Sequence, residues 1–508
     1  MNKSHVYFFF AVAITFFWLS RAECKVYQVG PSRMYKVPSA VQGLVADGDT
    51  VEIDAGTYND CATWTKNNLF LTGVGGMAHL DSSVCGQKGI WVFYGNNITA
   101  EYIEFSGAAI SFDAGDNGAG IRAQGGSFTV RHCYFHDNQE GILCDPAVVG
   151  SKVLIEYSEF ARNGVPNTSA AGYEHNMYIG NNISGTDTIL YDSFTLQYCY
   201  VHGAIIGHNV KSRAGRNFIL YNRIMDESTG TSSRDIDLPN GGFSVIMGNL
   251  IEQGPNTQNS NIMEFGGEGV IHWSGITSPQ NLYIINNTIV NDYPSNNSII
   301  LYDTEFSAHV PFPVDTLTMK NNIVAGPGMQ NLIIGVPKVL DTAANLVNAS
   351  ISAVGLMDPA MYDYSLLPTS PAINAGINIG PADGFSLVPA YEYVHPDSMM
   401  SRPVVGQIDQ GAYEYASNSS VAEQGQVSGF GITVVDDPLA HQAVIYISGG
   451  AANGCMTVYD ILGRPIEIIP SIHNNTLRLD TSTLPDGVYF ARFNSPSGNA
   501  EAKFVVTK

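Results

Sequence analysis

Four short runs of β-branched, aromatic and long apolar residues end in the same way: Phe218-Ile-Leu-Tyr-Asn222-Arg-Ile224, Val245-Ile-Met-Gly-Asn249-Leu-Ile251, Leu282-Tyr-Ile-Ile-Asn-Asn287-Thr-Ile289 and Leu317-Thr-Met-Lys-Asn321-Asn-Ile323. With Asn222, Asn249, Asn287 and Asn321 in one column, the repeat advances by 27 (249 − 222), 38 (287 − 249) and 34 (321 − 287) residues. That is one coil of a solenoid plus loops of varying length. The column runs back through Cys199, Ser158, Cys133 and Ile103, so eight coils align within the chain itself. Stacking at the strand spacing of about 4.8 Å lets successive asparagine amides bond to one another at a bend, which makes the column architectural.

A second strand follows in each coil. Ile121, Ile142, Met177, Val210, Ile236 and Met263 fall in register as core positions, and alternation sends the next residue outward. The outward column reads Arg122, Leu143, Tyr178, Lys211, Asp237, Glu264, with Asn209 and Arg213 flanking Lys211 and Asp235 flanking Asp237. The pattern predicts an all-β solenoid of stacked coils with a charged and phenolic stripe on one flank. Between Pro38 and Gly48, Ala40, Val41, Leu44 and Val45 share a helical face behind Ser39, which predicts a short helix capping the first coil.

Composition narrows the function. The 508 residues carry 24 Lys and Arg against 46 Asp and Glu, a net charge of −22, which argues against nucleic acid and anionic membrane as partners. Residues 1–22 read as a signal peptide: Lys3, the apolar run Val6 to Leu19, then Ser20-Arg21-Ala22 as a cleavage site. The apolar run is short for a membrane span, so the mature chain is expected to be exported, without a transmembrane segment and monomeric. Of seven cysteines, Cys61 and Cys85 are plausible partners, whereas Cys133 and Cys199 lie in the inward column.

The start of the chain, with Gly48-Asp-Thr-Val and Ala55-Gly-Thr-Tyr, resembles right-handed parallel β-helix proteins of the pectate-lyase-like superfamily, a likeness that together with the coils covers residues 26 to 415. Asp363-Tyr-Ser-Leu-Leu, Ser370-Pro-Ala-Ile-Asn-Ala-Gly and Asp409-Gln-Gly-Ala-Tyr-Glu-Tyr415 resemble the closing segment of secreted β-helix proteins, read here as a cap on the last coil. A polar linker, 416–427, leads to a small β-sandwich, 428–508. There Val458-Tyr-Asp-Ile-Leu-Gly-Arg464, Leu484-Pro-Asp-Gly-Val-Tyr489 and Lys503-Phe-Val-Val-Thr-Lys508 resemble the type A sorting domain of the type IX secretion system, with Asp437-Pro438 in place of the usual Pro-Asn-Pro. That resemblance implies the type IX machinery as a partner and a place outside the cell or on its surface.

The stripe fits an extended polysaccharide. An eliminating lyase on a uronate polymer needs a neutralised carboxylate, a base and an acid. Lys211 and Arg213, about 6.6 Å apart along a strand, serve as base and carboxylate clamp, and Tyr178 as acid. Asp237 and His208 complete the catalytic set, while Asn209, Arg234, Glu264 and His175 are candidates for holding substrate. Parity points His175 and His208 inward or into the turn. Calcium held by Asp235, Asp237 and Glu264 is an alternative neutraliser. An inverting hydrolase would use Asp235 and Asp237 as its carboxylate pair. A non-catalytic glycan-binding or adhesive protein would stack sugars on Tyr94, Tyr134, Tyr178 and Tyr200.

Overall fold

The computed structural model describes residues 24–166, 173–184, 187–268, 279–294, 300–301, 314–327, 332–403 and 405–415, and then 431–437, 442–448, 454–460, 465–472, 476–481, 484–485, 487–495 and 498–506. The chain divides into two compact units after Tyr415. In the first, 21 strands form one parallel sheet folded along a bend into two columns, and ten more, from Ala62–Trp64 to Ile333–Ile334, form a second parallel sheet. Strand follows strand from coil to coil, which is a parallel β-helix. Its interior is a continuous stack of apolar side chains, among them Phe105, Phe135 and Phe160 with rings 4.7–4.8 Å apart.

The bend inside the 21-stranded sheet has a repeating chemistry. Tyr102, His132, Tyr157, Tyr198, Tyr221, Asn286 and Asn321 all have φ between 47° and 59°, the left-handed region that turns the chain. Their rings stack from coil to coil, 4.9 Å from Tyr102 to His132 and 5.1 Å from His132 to Tyr157. Gly248 occupies this position between Tyr221 and Asn286, and a Cβ there would lie 2.5 Å from the Tyr221 ring. The next residue points inward and builds the ladder. Asn222 Nδ2 donates to Asn249 Oδ1 at 3.0 Å, Asn249 Nδ2 to Asn287 Oδ1 at 2.9 Å, Asn287 Nδ2 to Asn322 Oδ1 at 3.0 Å, and Asn322 Nδ2 to Asn345 Oδ1 at 2.9 Å. The fourth rung is therefore Asn322, not Asn321. Asparagine tolerates the left-handed turn as well as the rung, and in the pair Asn321-Asn322 the first residue makes the turn.

Two other expectations change. The chain-start helix is only a 3-10 turn, Pro38–Ala40. Val41 and Val45 are buried over the first coil, but Leu44 is exposed, and Ser39 Oγ donates to Asp60 Oδ1 rather than capping. Nine residues containing Gly43 are too few to propagate a helix. The segment up to Tyr415 is not an end cap either, since it runs back along the bend column. Asn286 Nδ2 donates to Asp409 O, Ala412 N to Thr288 Oγ1 and Ala390 N to Tyr221 Oη, and the Tyr391 ring meets Tyr198 and Tyr221 edge-on. Arg402, fully buried, donates to Glu414 Oε1 at 2.8 Å and to the Ala412 carbonyl at 2.7 Å, closing the strap on itself. Cys61 and Cys85 are disulfide-bonded, and Cys133 and Cys199 are buried thiols.

The second unit has a three-stranded antiparallel sheet (Gly431–Asp437, Gln442–Ser448, Thr476–Asp480) and a four-stranded one (Pro465–Ile472, Gly454–Asp460, Gly487–Ser495, Gly498–Val506). Met456, Val458, Ala491 and Phe493 of one and Leu479 of the other are buried, the signature of two small sheets facing a shared interior. No described helix is long and apolar enough to cross a membrane. Residues 1–22 and the linker 416–427 lie outside the described residues.

Candidate functional site

The ten-stranded sheet pairs Arg122 with Leu143, Leu143 with Tyr178, Tyr178 with Lys211, Lys211 with Asp237 and Asp237 with Glu264. Ile121, Ile142, Met177, Val210, Ile236 and Met263 are buried behind them. Alternation along each strand thus puts one residue per coil on a common outer wall.

At the centre, Asp237 Oδ2 lies 3.2 Å from both Lys211 Nζ and His208 Nε2. Burial pushes the Asp237 carboxyl up, but His208, Lys211 and Arg234 together outweigh it and hold the group well below the usual carboxylate range. Asp237 is 2% exposed, so it fixes Lys211 and His208 from beneath rather than meeting a ligand. His208 stacks on His175 with rings 4.8 Å apart, and the His208 backbone N–H donates to His175 Nδ1 at 2.9 Å. Burial lowers both imidazoles below their ordinary range, and in each case neighbouring positive groups add to it while Asp237 opposes it, so both are neutral near pH 7.

The upper part of the wall is built on Tyr178. Arg213 Nε donates to Tyr178 Oη at 2.6 Å, and Lys211 Nζ lies 5.2 Å from the ring centre. Arg213 Nη1 also donates to Asn240 Oδ1 at 2.6 Å, and it lies 2.8 Å from the half-exposed Glu268 carboxylate. On the lower part, Arg234 Nη2 lies 2.8 Å from Glu264 Oε2. Burial and the neighbouring Asp237 charge still raise Glu264, to about 7, against the pull of Arg234.

Asn209 and Asp235 do not stand on the wall. Each is the second residue of its strand and is buried under the coil. They belong to a second ladder that passes from Asn138 to Asn163, Asn176, Asn209 and Asp235 with donor-acceptor distances of 2.8–2.9 Å. His208 and Arg234, one residue earlier, project onto the wall instead, so the expected parity is reversed at this one place. Asp235 is buried beside Asp226 and Glu252, and burial first, then the Asp226 charge, raises it well above the carboxylate range. The trio offered to calcium is consequently split, with Asp235 in the ladder and Asp237 Oδ2 taken by two nitrogen donors, and these residues do not fit the ion as a set. The Asp235–Asp237 hydrolase pair is split in the same way. Asn209 (0% exposed) and His175 (1%) do not reach a surface from which to hold a substrate.

Glu268 and Asn240, which lock Arg213, and the ladder from Asn138 to Asn176 were not picked out from the sequence. The recurring dipeptides His175-Asn176, His208-Asn209 and Arg234-Asp235 carried the signal for the ladder. Of the tyrosines proposed for stacking, Tyr94 is exposed, Tyr134 is stacked on His136, and Tyr200 is buried between His202 and His395.

Residues 438–507 match the family described as Secretion system C-terminal sorting domain. The chain is an exported protein. Its address is the type IX secretion route, ending outside the cell or on its surface. Among curated proteins none matches this sequence. Among solved structures, the exported chain is similar to the crystal structure of pectate lyase Pel9A at 14% identity, over 77% of this chain and 96% of that one, with a TM-score of 0.47. A likeness at that level assigns neither substrate nor residue roles.

Proposed function

We propose that the exported β-helix is a polysaccharide lyase that cleaves a uronic-acid-containing polymer by β-elimination. The observation that carries this reading is the Lys211–Tyr178–Arg213 cluster, in which the phenol oxygen accepts from Arg213 at 2.6 Å while the lysine nitrogen lies 5.2 Å from the same ring. Glu268 occupies the guanidinium of Arg213 and is half exposed, so it marks the seat a substrate carboxylate takes when it displaces this side chain. Held there, the carboxylate is neutralised and the proton beside it becomes acidic. Lys211, as the neutral amine, removes that proton as the base and becomes the ammonium that Asp237, 3.2 Å away, holds. Tyr178, whose oxygen already has a donor in Arg213, keeps its own O–H to give to the departing glycosidic oxygen. Asp237 and His208 act through Lys211 as positioning residues.

A hydrolase is the second reading, favoured by Glu264. This carboxyl keeps its proton to about pH 7, as suits a general acid, and the buried Asp237 on the adjoining rung supplies only charge that helps raise it. Incubation of the purified protein with uronate polymers separates the readings. Product absorbing in the ultraviolet from a new double bond supports the lyase, and new reducing ends without it support the hydrolase. Retention on the polymer without turnover leaves a binder.

A further inference from the structure

The outer face of the other sheet carries a different cluster. His79 on Phe70–Asp81, Glu104 on Ile103–Ser106 and His136 on Tyr134–His136 come from three successive coils. His79 is level with Glu104 and His136 with Ser106, so their side chains converge diagonally. His136 Nε2 lies 3.0 Å and His79 Nε2 3.7 Å from the same oxygen, Glu104 Oε1. The three candidate donor atoms all lie within 4.8 Å of one another, and all three side chains are part-exposed. Ser106 Oγ, 2.7 Å from His79 Nε2, borders the open side.

The surroundings are arranged for more than a hydrogen-bonded pair. His136 Nδ1 lies 2.6 Å from Asp137 Oδ2, and Asp137 is gripped by Arg162, whose Nε donates at 3.1 Å and Nη2 at 2.7 Å. A proton on Nδ1 directed to a fixed carboxylate leaves the Nε2 lone pair facing Glu104 and His79. A carboxylate orienting an imidazole whose other nitrogen faces a shared centre is how proteins fix and strengthen a histidine ligand. Two imidazoles and one carboxylate with an open side suit a borderline divalent ion rather than an oxygen-seeking one.

From this geometry we infer that His79, Glu104 and His136 form a binding site for a divalent transition ion of the zinc class, one per chain, with the remaining position open to water. Bound there, the ion ties three successive coils together on the sheet that does not carry Lys211.

Cobalt(II) titrated into untagged, chelator-treated protein is the test. One equivalent is expected to give the visible bands of a low-coordinate complex, and zinc to abolish them. His79→Ala and His136→Ala are each expected to weaken binding at least about a hundredfold, and Asp137→Asn by about 10- to 100-fold because the His136 imidazole loses the carboxylate that orients it. All three positions are on the outer face, and circular dichroism checks that the variants fold. X-ray absorption of the wild-type cobalt complex gives a readout independent of any variant, with two imidazoles expected. An all-oxygen shell, absence of binding at one equivalent, or binding unchanged in the double variant His79→Ala/His136→Ala overturns the inference.

Discussion

Replacing Asn249 tests the ladder on which the coil alignment rests. Asn249 is fully buried and makes four side-chain hydrogen bonds. Its Oδ1 accepts from the Asn222 backbone N–H at 2.9 Å and from Asn222 Nδ2 at 3.0 Å, and its Nδ2 donates to Ile219 O at 2.8 Å and Asn287 Oδ1 at 2.9 Å. Asn249→Ala leaves the Asn222 N–H without this acceptor, at a cost of about 1–3 kcal/mol, and removes donors from two oxygens at about 1 kcal/mol each, while Asn222 Nδ2 keeps its other acceptor, Leu196 O. The expected loss is about 3–5 kcal/mol. The chain contains its own control, because Ser158 fills the same column and its Oγ accepts from the Cys133 N–H at 3.1 Å. Asn249→Ser should therefore recover the acceptor term, roughly half the loss. Urea unfolding followed by circular dichroism measures the total, and hydrogen exchange at Asn222 reads the local term directly, which matters because a solenoid can open in parts. A loss below about 1 kcal/mol for alanine, or serine no better than alanine, would refute the reasoning.

Glu264 predicts a pH signature. The folded chain holds this proton up to about pH 7 while an unfolded glutamate releases it near 4.3, so between those values the folded state binds more protons and stability falls as pH rises. Relative to Glu264→Gln, the wild type is expected to lose up to about 3 kcal/mol between pH 4 and 8 in chemical denaturation, and parallel profiles would contradict it. Removing the Cys61–Cys85 bond, which closes a loop of separation 24, by a double alanine substitution is expected to cost about 3 kcal/mol in the same assay. No change would mean the first coils are held without it.

The repeat and the outward stripe were legible in the sequence because both follow from strand parity, and a parallel stack carries parity unchanged from coil to coil. Val210, Lys211, Ile236 and Asp237 pair as alternation requires. Parity fails where a strand begins. His208 and Asn209 exchange faces at the bend, and this moved Asn209 and Asp235 from the proposed wall into a buried ladder. Asn321 was misplaced by one residue since two adjacent asparagines fit two adjacent roles. The strap was recognised as a closing segment but placed over the last coil, for another reason: its contacts along the bend column, such as Ala390 to Tyr221, span 169 residues and leave no local pattern. Likewise the lock on Arg213 depends on Glu268, 55 residues away, and no spacing rule links the two.

On the proposed reading, the wall around Lys211, Tyr178 and Arg213 performs an elimination. The most direct measurement is the rate of ultraviolet-absorbing product formation from a uronate polymer by the mature protein and its Lys211→Met variant, each shown by circular dichroism to be folded. Turnover by the wild type is expected, with a fall of about a hundredfold to ten-thousandfold in the variant, the range a positioned proton-transfer group contributes. Equal rates in the two proteins, or no unsaturated product from the wild type on any uronate polymer, would contradict that reading.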